Sequence, residues 1–316
     1  MKTMEDNSFV NRLIQKINEK NSVVCMGLDP RMDMEGQIPD FFINRYDNPS
    51  KIIFEFNKAL IDNLHELIPV IKPQIAFYEK YDALEALKDT IKYAHKKKLL
   101  VILDAKRNDI GSTSEAYADA IFKVYRADAC TLNGYLGFDS IKPYKEKYPE
   151  KGFFILVKTS NPSSKEFQDL FSVELNQIPA HETSITEKNL STNINLERNY
   201  VKMAKLVNQW GSDLPNFKKY HNMGVVVGAT YPEELATVRS ITKNSFMLIP
   251  GYGAQGGKAD DIKHAFDKNG LGAIVNSSRG IMFAYKNRGY SAEEFAQAAR
   301  EEVVEMNKEI NKVIKI

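Results

Sequence analysis

Short apolar runs and longer segments of helical spacing alternate along the chain. Strand-like runs occur at Val23–Leu28, Val70–Lys72, Leu99–Asp104, Ala129–Leu132, Phe153–Lys158, Gly224–Val227, Phe246–Ile249 and Ala273–Asn276. They are short and rich in branched residues, the pattern of strands buried on both faces. Helical segments follow nearly every one, at Ile52–Leu67, Tyr81–His95, Ser114–Tyr125, Arg198–Trp210, Pro232–Ile241, Asp260–Asp267 and Ala292–Val313. Such alternation implies parallel pairing through right-handed crossovers. Eight units, with no Gly-rich dinucleotide fingerprint after the first strand, favour an α/β fold of the (β/α)8 TIM-barrel type; an open doubly wound sheet is the alternative. Phe9, Leu13, Ile14 and Ile17 mark one face of an additional amphipathic helix spanning about 7–20.

The segment 163–196 breaks the rhythm. It is long, polar and weakly periodic, and it follows the fifth strand on the face where barrels carry their loops. It reads either as a lid or as a solvated insertion. No boundary divides the chain, so 1–316 is expected to form one barrel domain.

Composition narrows the classes. With 316 residues, of which 43% are hydrophobic, the chain can bury a large core. A formal net charge of +2 argues against nucleic acid as the principal partner. Cys25 and Cys130 sit in apolar strand-like runs without metal or redox spacing, which suits reduced packing residues in a cytoplasmic protein. The N-terminus lacks a signal-peptide pattern, and no stretch approaches membrane-spanning length, so a soluble protein is expected.

Chemistry concentrates where strands end. Side chains alternate along a strand, so Asp104 and Lys106 project from one side of the third strand's C-terminal end. Asp109 follows in the turn, and Ser112 or Thr113 is placed to cap the next helix. A structural ion-pair network has the same appearance as a catalytic one. In a barrel, however, strand C-termini build the active site. Asp29, Lys72, Asp104, Lys106, Ser160, Gln255 and Arg279 all lie at or just beyond such ends. Four alternating charges from three consecutive strands tilt the balance towards a site.

The last two strand-to-helix loops read Pro250–Gly257 and Asn276–Gly280. Glycines let backbone N–H groups approach an anion, a helix N-terminus adds positive charge, and Arg279 can grip phosphate oxygens bidentately. The five histidines, His65, His95, His181, His221 and His264, show no ligand spacing and read as surface or packing residues. A phosphate grip combined with a Lys/Asp array, without an evident metal site or cysteine nucleophile, suits stabilisation and protonation of a carbanion. Decarboxylation of a phosphorylated substrate fits that description.

The residues resemble the orotidine 5′-phosphate decarboxylase family, particularly its longer bacterial members. The Asp-x-Lys-x-x-Asp signature stands as Asp104-Ala105-Lys106-Arg107-Asn108-Asp109, continuing into Ile110-Gly111-Ser112-Thr113. Gly27-Leu28-Asp29-Pro30, Lys72–Glu79, Thr159-Ser160-Asn161-Pro162, Pro250–Gly257 and Ser278-Arg279-Gly280 match as well, spanning nearly the whole chain. The resemblance implies that orotidine 5′-phosphate is converted to UMP and CO2 in de novo pyrimidine synthesis, by a cofactor-independent homodimer. It implies a charged network of Lys72, Asp104 and Lys106, completed by Asp109 of the partner subunit, with Lys106 protonating C6. Asp29 and Thr113 of the partner subunit would contact the ribose, Ser160 the pyrimidine, and Gln255 and Arg279 the phosphate. Two departures, Asn108 where glycine and Gly134 where proline is expected, bear on local backbone shape. Related metal-dependent barrels acting on sugar phosphates need a carboxylate where Lys72 stands, because Mg²⁺ wants oxygen ligands. A non-catalytic sensor of phosphorylated nucleotides is the rival from another class.

Overall fold

In a computed structural model, which describes residues 7–33, 37–173, 196–253 and 256–314, parallel strands close into a barrel. These are β1 Val24–Leu28, β2 Val70–Pro73, β3 Leu100–Arg107, β4 Ala129–Leu132, β5 Gly152–Lys158, β6 His221–Val227, β7 Ser245–Ile249 and β8 Ala273–Ser277. Each strand pairs with its sequence neighbours, and β8 returns to β1 with Val275 opposite Val24. Closure leaves no open edge, which removes the doubly wound alternative. Val101, Ile102 and Leu103 are fully buried, as expected of a strand covered by helices outside and side chains inside.

The covering helices include α1 Phe9–Lys20, α2 Pro49–Leu64, α3 Leu84–Lys96, α4 Gly111–Asp119, α5 Asn199–Trp210, α6 Pro232–Ile241 and α7 Phe295–Ile314, with shorter turns filling other connections. The extra helix α1 is capped by Ser8, whose Oγ accepts the Asn11 amide. Its apolar face plugs the N-terminal end of the barrel: Phe9 meets Phe154 edge-on at 6.0 Å, and the Val10 amide donates to Asn222 Oδ1 at 2.9 Å. Arg12 and His95 both engage the buried Asp128 carboxylate at that end, far from the loops that carry the candidate chemistry.

Two local expectations change. The helix after β3 starts at Gly111 with Ile110 as its cap residue and no side-chain cap, so neither Ser112 nor Thr113 caps it. Gly111, at φ +53°, turns the chain a residue earlier, and Asp109 Oδ1 takes the Ile110 amide instead. That helix then widens into a π-turn over Ala120–Val124 rather than running straight to Tyr125. In the segment after β5, Phe171–Val173 pairs antiparallel with Leu196–Arg198. The lid expectation falls mainly on 174–195, which lie outside the described residues. Among the described residues no helix is long and apolar enough to cross a membrane.

Candidate active site

Asp104 near the end of β3 holds two ammonium groups at once. Its Oδ2 accepts from Lys72 Nζ at 2.6 Å, and its Oδ1 accepts from Lys106 Nζ at 2.6 Å. Lys72, brought by β2, and Asp104 are almost wholly enclosed, with side chains 6% and 8% exposed, whereas Lys106 is 44% exposed. Burial disfavours charge on both enclosed groups, but their mutual attraction outweighs it. Lys72 and then Lys106 hold the Asp104 carboxyl well below the usual carboxylate range. Asp104, followed by Asp29, holds Lys72 above the usual lysine range. Lys72 and Asp104 therefore both stay charged through the physiological range.

Simple strand alternation does not aim Lys106. The β3–β4 register shifts between Leu103 and Arg107, and Lys106 sits at φ +47°. A non-glycine residue in that region costs on the order of 1–2 kcal/mol, and such strain gathers where a side chain must point in one direction.

Two cavities meet at this array. The first, of about 380 Å³, is lined by Asp29, Lys72, Asp104, Lys106 and Arg279 together with Arg31, Gln74, Phe77, Pro250–Tyr252 and Asn276–Ser278. The second, of about 430 Å³, is lined by Lys72, Asp104, Lys106, Thr131, Leu156, Thr159–Asn161, Gln168, Val226, Leu248 and Pro250. Arg279 and Ser160 thus open onto different chambers whose shared wall is Lys72, Asp104, Lys106 and Pro250.

In the first chamber, Asp29 Oδ1 and Asn276 Oδ1 are buried without a hydrogen-bond partner. A buried orphan acceptor is costly, and no donor among the described residues satisfies either oxygen. Gly27 makes room here: a Cβ on it would lie 1.9 Å from Ser278 Oγ. The helix that begins at Arg279 is a single turn, so positive charge at this end comes from the guanidinium more than from a helix dipole. In the second chamber, Gln168 fastens the Ser160 loop by accepting the Thr159 amide at 2.9 Å and donating to Thr159 Oγ1 at 2.9 Å. At the foot of that loop, the fully buried Lys158 pairs with Asp169 at 2.6 Å.

Asp109 and Thr113 line neither chamber, and Gln255 lies outside the described residues. No histidine among the described residues lines a chamber either. His221 is packed inside β6, where burial pushes its imidazole down to about 4. Both cysteines are buried and free, and burial pushes the Cys25 thiol up to about 12.

A sequence model described as orotidine 5′-phosphate decarboxylase / HUMPS family matches residues 22–295. The chain belongs to this family. It is 40% identical over 306 residues to the orotidine 5′-phosphate decarboxylase of Caldicellulosiruptor saccharolyticus, covering 90% of this chain and 92% of that one. Its identity to the Petrotoga mobilis orotidine 5′-phosphate decarboxylase is 39% over 307 residues, covering 96% and 98%. The solved structure of Leishmania donovani OMP decarboxylase superposes with a TM-score of 0.73 at 28% identity, covering 98% of this chain and 99% of that one.

Family membership sets the missed residues in context. Gln74 follows Lys72 by two positions, so alternation from β2 would have found it. Arg31, whose guanidinium lies 5.0 Å from the centre of the Phe77 ring, stands two residues beyond Asp29 in a loop without periodicity. Thr131 is a threonine in an otherwise apolar strand end, and only tertiary geometry marks it out.

Proposed function

We propose that this protein decarboxylates orotidine 5′-phosphate to UMP and CO2, as a cofactor-independent cytoplasmic homodimer. The observation that carries the reading is the Lys72–Asp104–Lys106 array where an Arg279 chamber meets a Ser160 chamber. Arg279 and Gln255 hold the phosphate, Asp29 the ribose and Ser160 the pyrimidine, which sets the C6 carboxylate against Asp104 and Lys106. As the C6–carboxylate bond breaks, its electron pair stays on C6 and CO2 departs. Lys106 then gives C6 a proton and regains one from solvent.

Magnitudes rank the contributions. Enzymes lower barriers by roughly 8–23 kcal/mol, and an unassisted vinyl carbanion demands the upper end. Repulsion between Asp104 and a substrate carboxylate about 4 Å away supplies on the order of 4 kcal/mol at an effective dielectric near 20. The fixed Lys106 charge beside the developing carbanion is the larger effect, because it needs little reorganisation. Remote phosphate binding comes second, since its energy can hold the reacting end in place.

Asp109 and Thr113 would serve the neighbouring subunit's site. Supporting this, Ile110, Tyr135, Leu136 and Phe167 are exposed large apolar residues on loops around the same barrel end. Lys72 at the end of β2 supplies an ammonium where a Mg²⁺-dependent sugar-phosphate barrel needs a carboxylate.

Loss of orotidylate absorbance over time tests the reading. Turnover should continue in EDTA; ligand binding without consumption would identify a sensor, and EDTA-sensitive turnover a metal-dependent barrel. Arg279→Ala should lower kcat/KM by roughly 100- to 1000-fold, the scale of two charge-assisted hydrogen bonds. Added phosphite or guanidinium should restore part of the loss, and unchanged kinetics would remove the phosphate role.

A further inference from the structure

Thr131 alone on β4 stands opposite three residues of β3. Cys130 pairs with Leu103 and Leu132 with Arg107, so Asp104, Ala105 and Lys106 share the one position between them. This bulge would leave two adjacent amides without regular ladder partners. The Thr131 hydroxyl takes both, accepting from the Ala105 amide at 3.1 Å and from the Lys106 amide at 3.0 Å. It donates its own proton to Asp104 Oδ1 at 2.8 Å. A hydroxyl offers one donor and two acceptor sites, so Thr131 is saturated. It is 1% exposed, leaving little room for water to replace it.

We infer that Thr131 is the positioning residue of the array: its hydroxyl holds the left-handed backbone at Lys106 and fixes the carboxylate that aims the Lys106 ammonium. The inference rests on the functional reading above and adds a residue to it. The argument is one of conformational cost. Lys106 at φ +47° is strained, and a strained conformation persists only where its surroundings over-determine it. Three hydrogen bonds from one buried oxygen supply that constraint. They link the amides on both sides of Ala105, the second of them the Lys106 amide about which φ is measured, to the same Asp104 oxygen that receives Lys106 Nζ. Valine keeps the shape of threonine but makes none of these bonds, and serine can make all three.

Thr131→Val should lower kcat for orotidine 5′-phosphate on the order of 100-fold, the scale of a misplacement of about 1 Å at a reacting centre. KM should move less than kcat, because Thr131, although it lines the Ser160 chamber, is absent from the Arg279 chamber that would grip the phosphate. Thr131→Ser should stay within a few-fold of the parent in both constants. If Thr131→Val does not fold, Thr131→Ala carries the same comparison with serine. Near-parental kcat in the hydroxyl-free variant, or an equal loss in the serine variant, would overturn the inference. If the parent itself does not turn over orotidine 5′-phosphate, the functional reading fails on that ground. Crystal structures then decide the positioning role. Lys106 leaving the left-handed region in the hydroxyl-free variant but not in the serine variant sustains it, and an unmoved Lys106 overturns it.

Discussion

Lys106→Ala should abolish most turnover while leaving the fold intact. Proton delivery contributes roughly 100- to 10,000-fold and a fixed charge at the developing anion a further 100-fold or more, so a fall in kcat of about ten-thousand-fold is the minimum expected. Stability should change little, because Lys106 is 44% exposed and Asp104 keeps its enclosed partner Lys72. Stopped-assay kinetics beside a thermal melt would check both halves, and near-normal turnover would refute the assignment. The same variant tests the shared site. Mixed in equal amounts with Asp109→Ala and allowed to exchange subunits, it should recover about a quarter of parental activity. Half the dimers are then mixed, and each carries one intact site. No recovery on exchange would place Asp109 in its own subunit's site or outside it.

Asp104→Asn should damage both chemistry and stability. It removes the carboxylate between two ammonium groups and leaves Lys72, 6% exposed, with Asp29 as its remaining anionic neighbour among the described residues of its own chain. Breaking a buried pair by deleting one partner costs about 3–5 kcal/mol. The pH dependence carries the signature. In the parent, Lys72 has a raised pKa, so its contribution is complete below the ordinary lysine value near 10.4 and is lost as pH rises through the folded value. Asp104 has a depressed pKa, so its contribution is present above the ordinary value near 3.9 and is lost as pH falls through the folded value in strong acid. Between those limits the pair adds no slope to stability. In Asp104→Asn the buried ammonium is poorly compensated, its pKa falls, and the variant should gain stability relative to the parent as pH rises towards that of free lysine. Parallel stability curves for the two proteins across the alkaline range would count against the pairing.

Much of this architecture was legible from residue pattern. Apolar runs bounded by helical spacing located all eight barrel strands, because a strand buried on both faces has no polar position to blur it. The ends of β3 and β6 were less accurate. β3 continues through Lys106 to Arg107, and β6 begins at His221 and Asn222, both buried although polar. Asn222 is retained there by its bonds to α1 and to the Pro149 carbonyl, tertiary contacts that no local pattern encodes. Asp29, Lys72, Asp104, Lys106 and Arg279 were legible because each sits at or just beyond a strand end in a closed barrel. Thr131, Arg31 and Asn276 were not: a threonine or asparagine in a strand normally satisfies itself with backbone, and an arginine in a loop normally faces water. Their roles emerge only from what surrounds them.

The wall common to the two chambers also sets how a ligand is read. Under the proposed function each chamber would meet one half of the substrate, and the covalent bond between base and sugar would bring the second half to its chamber at a high effective concentration once the first has bound. Ribose 5-phosphate and free orotate, supplied as separate molecules, would each forfeit that tethering and pay separately for being immobilised. Discrimination against such fragments is therefore inherent in the layout, because only an intact nucleotide reaches across the partition.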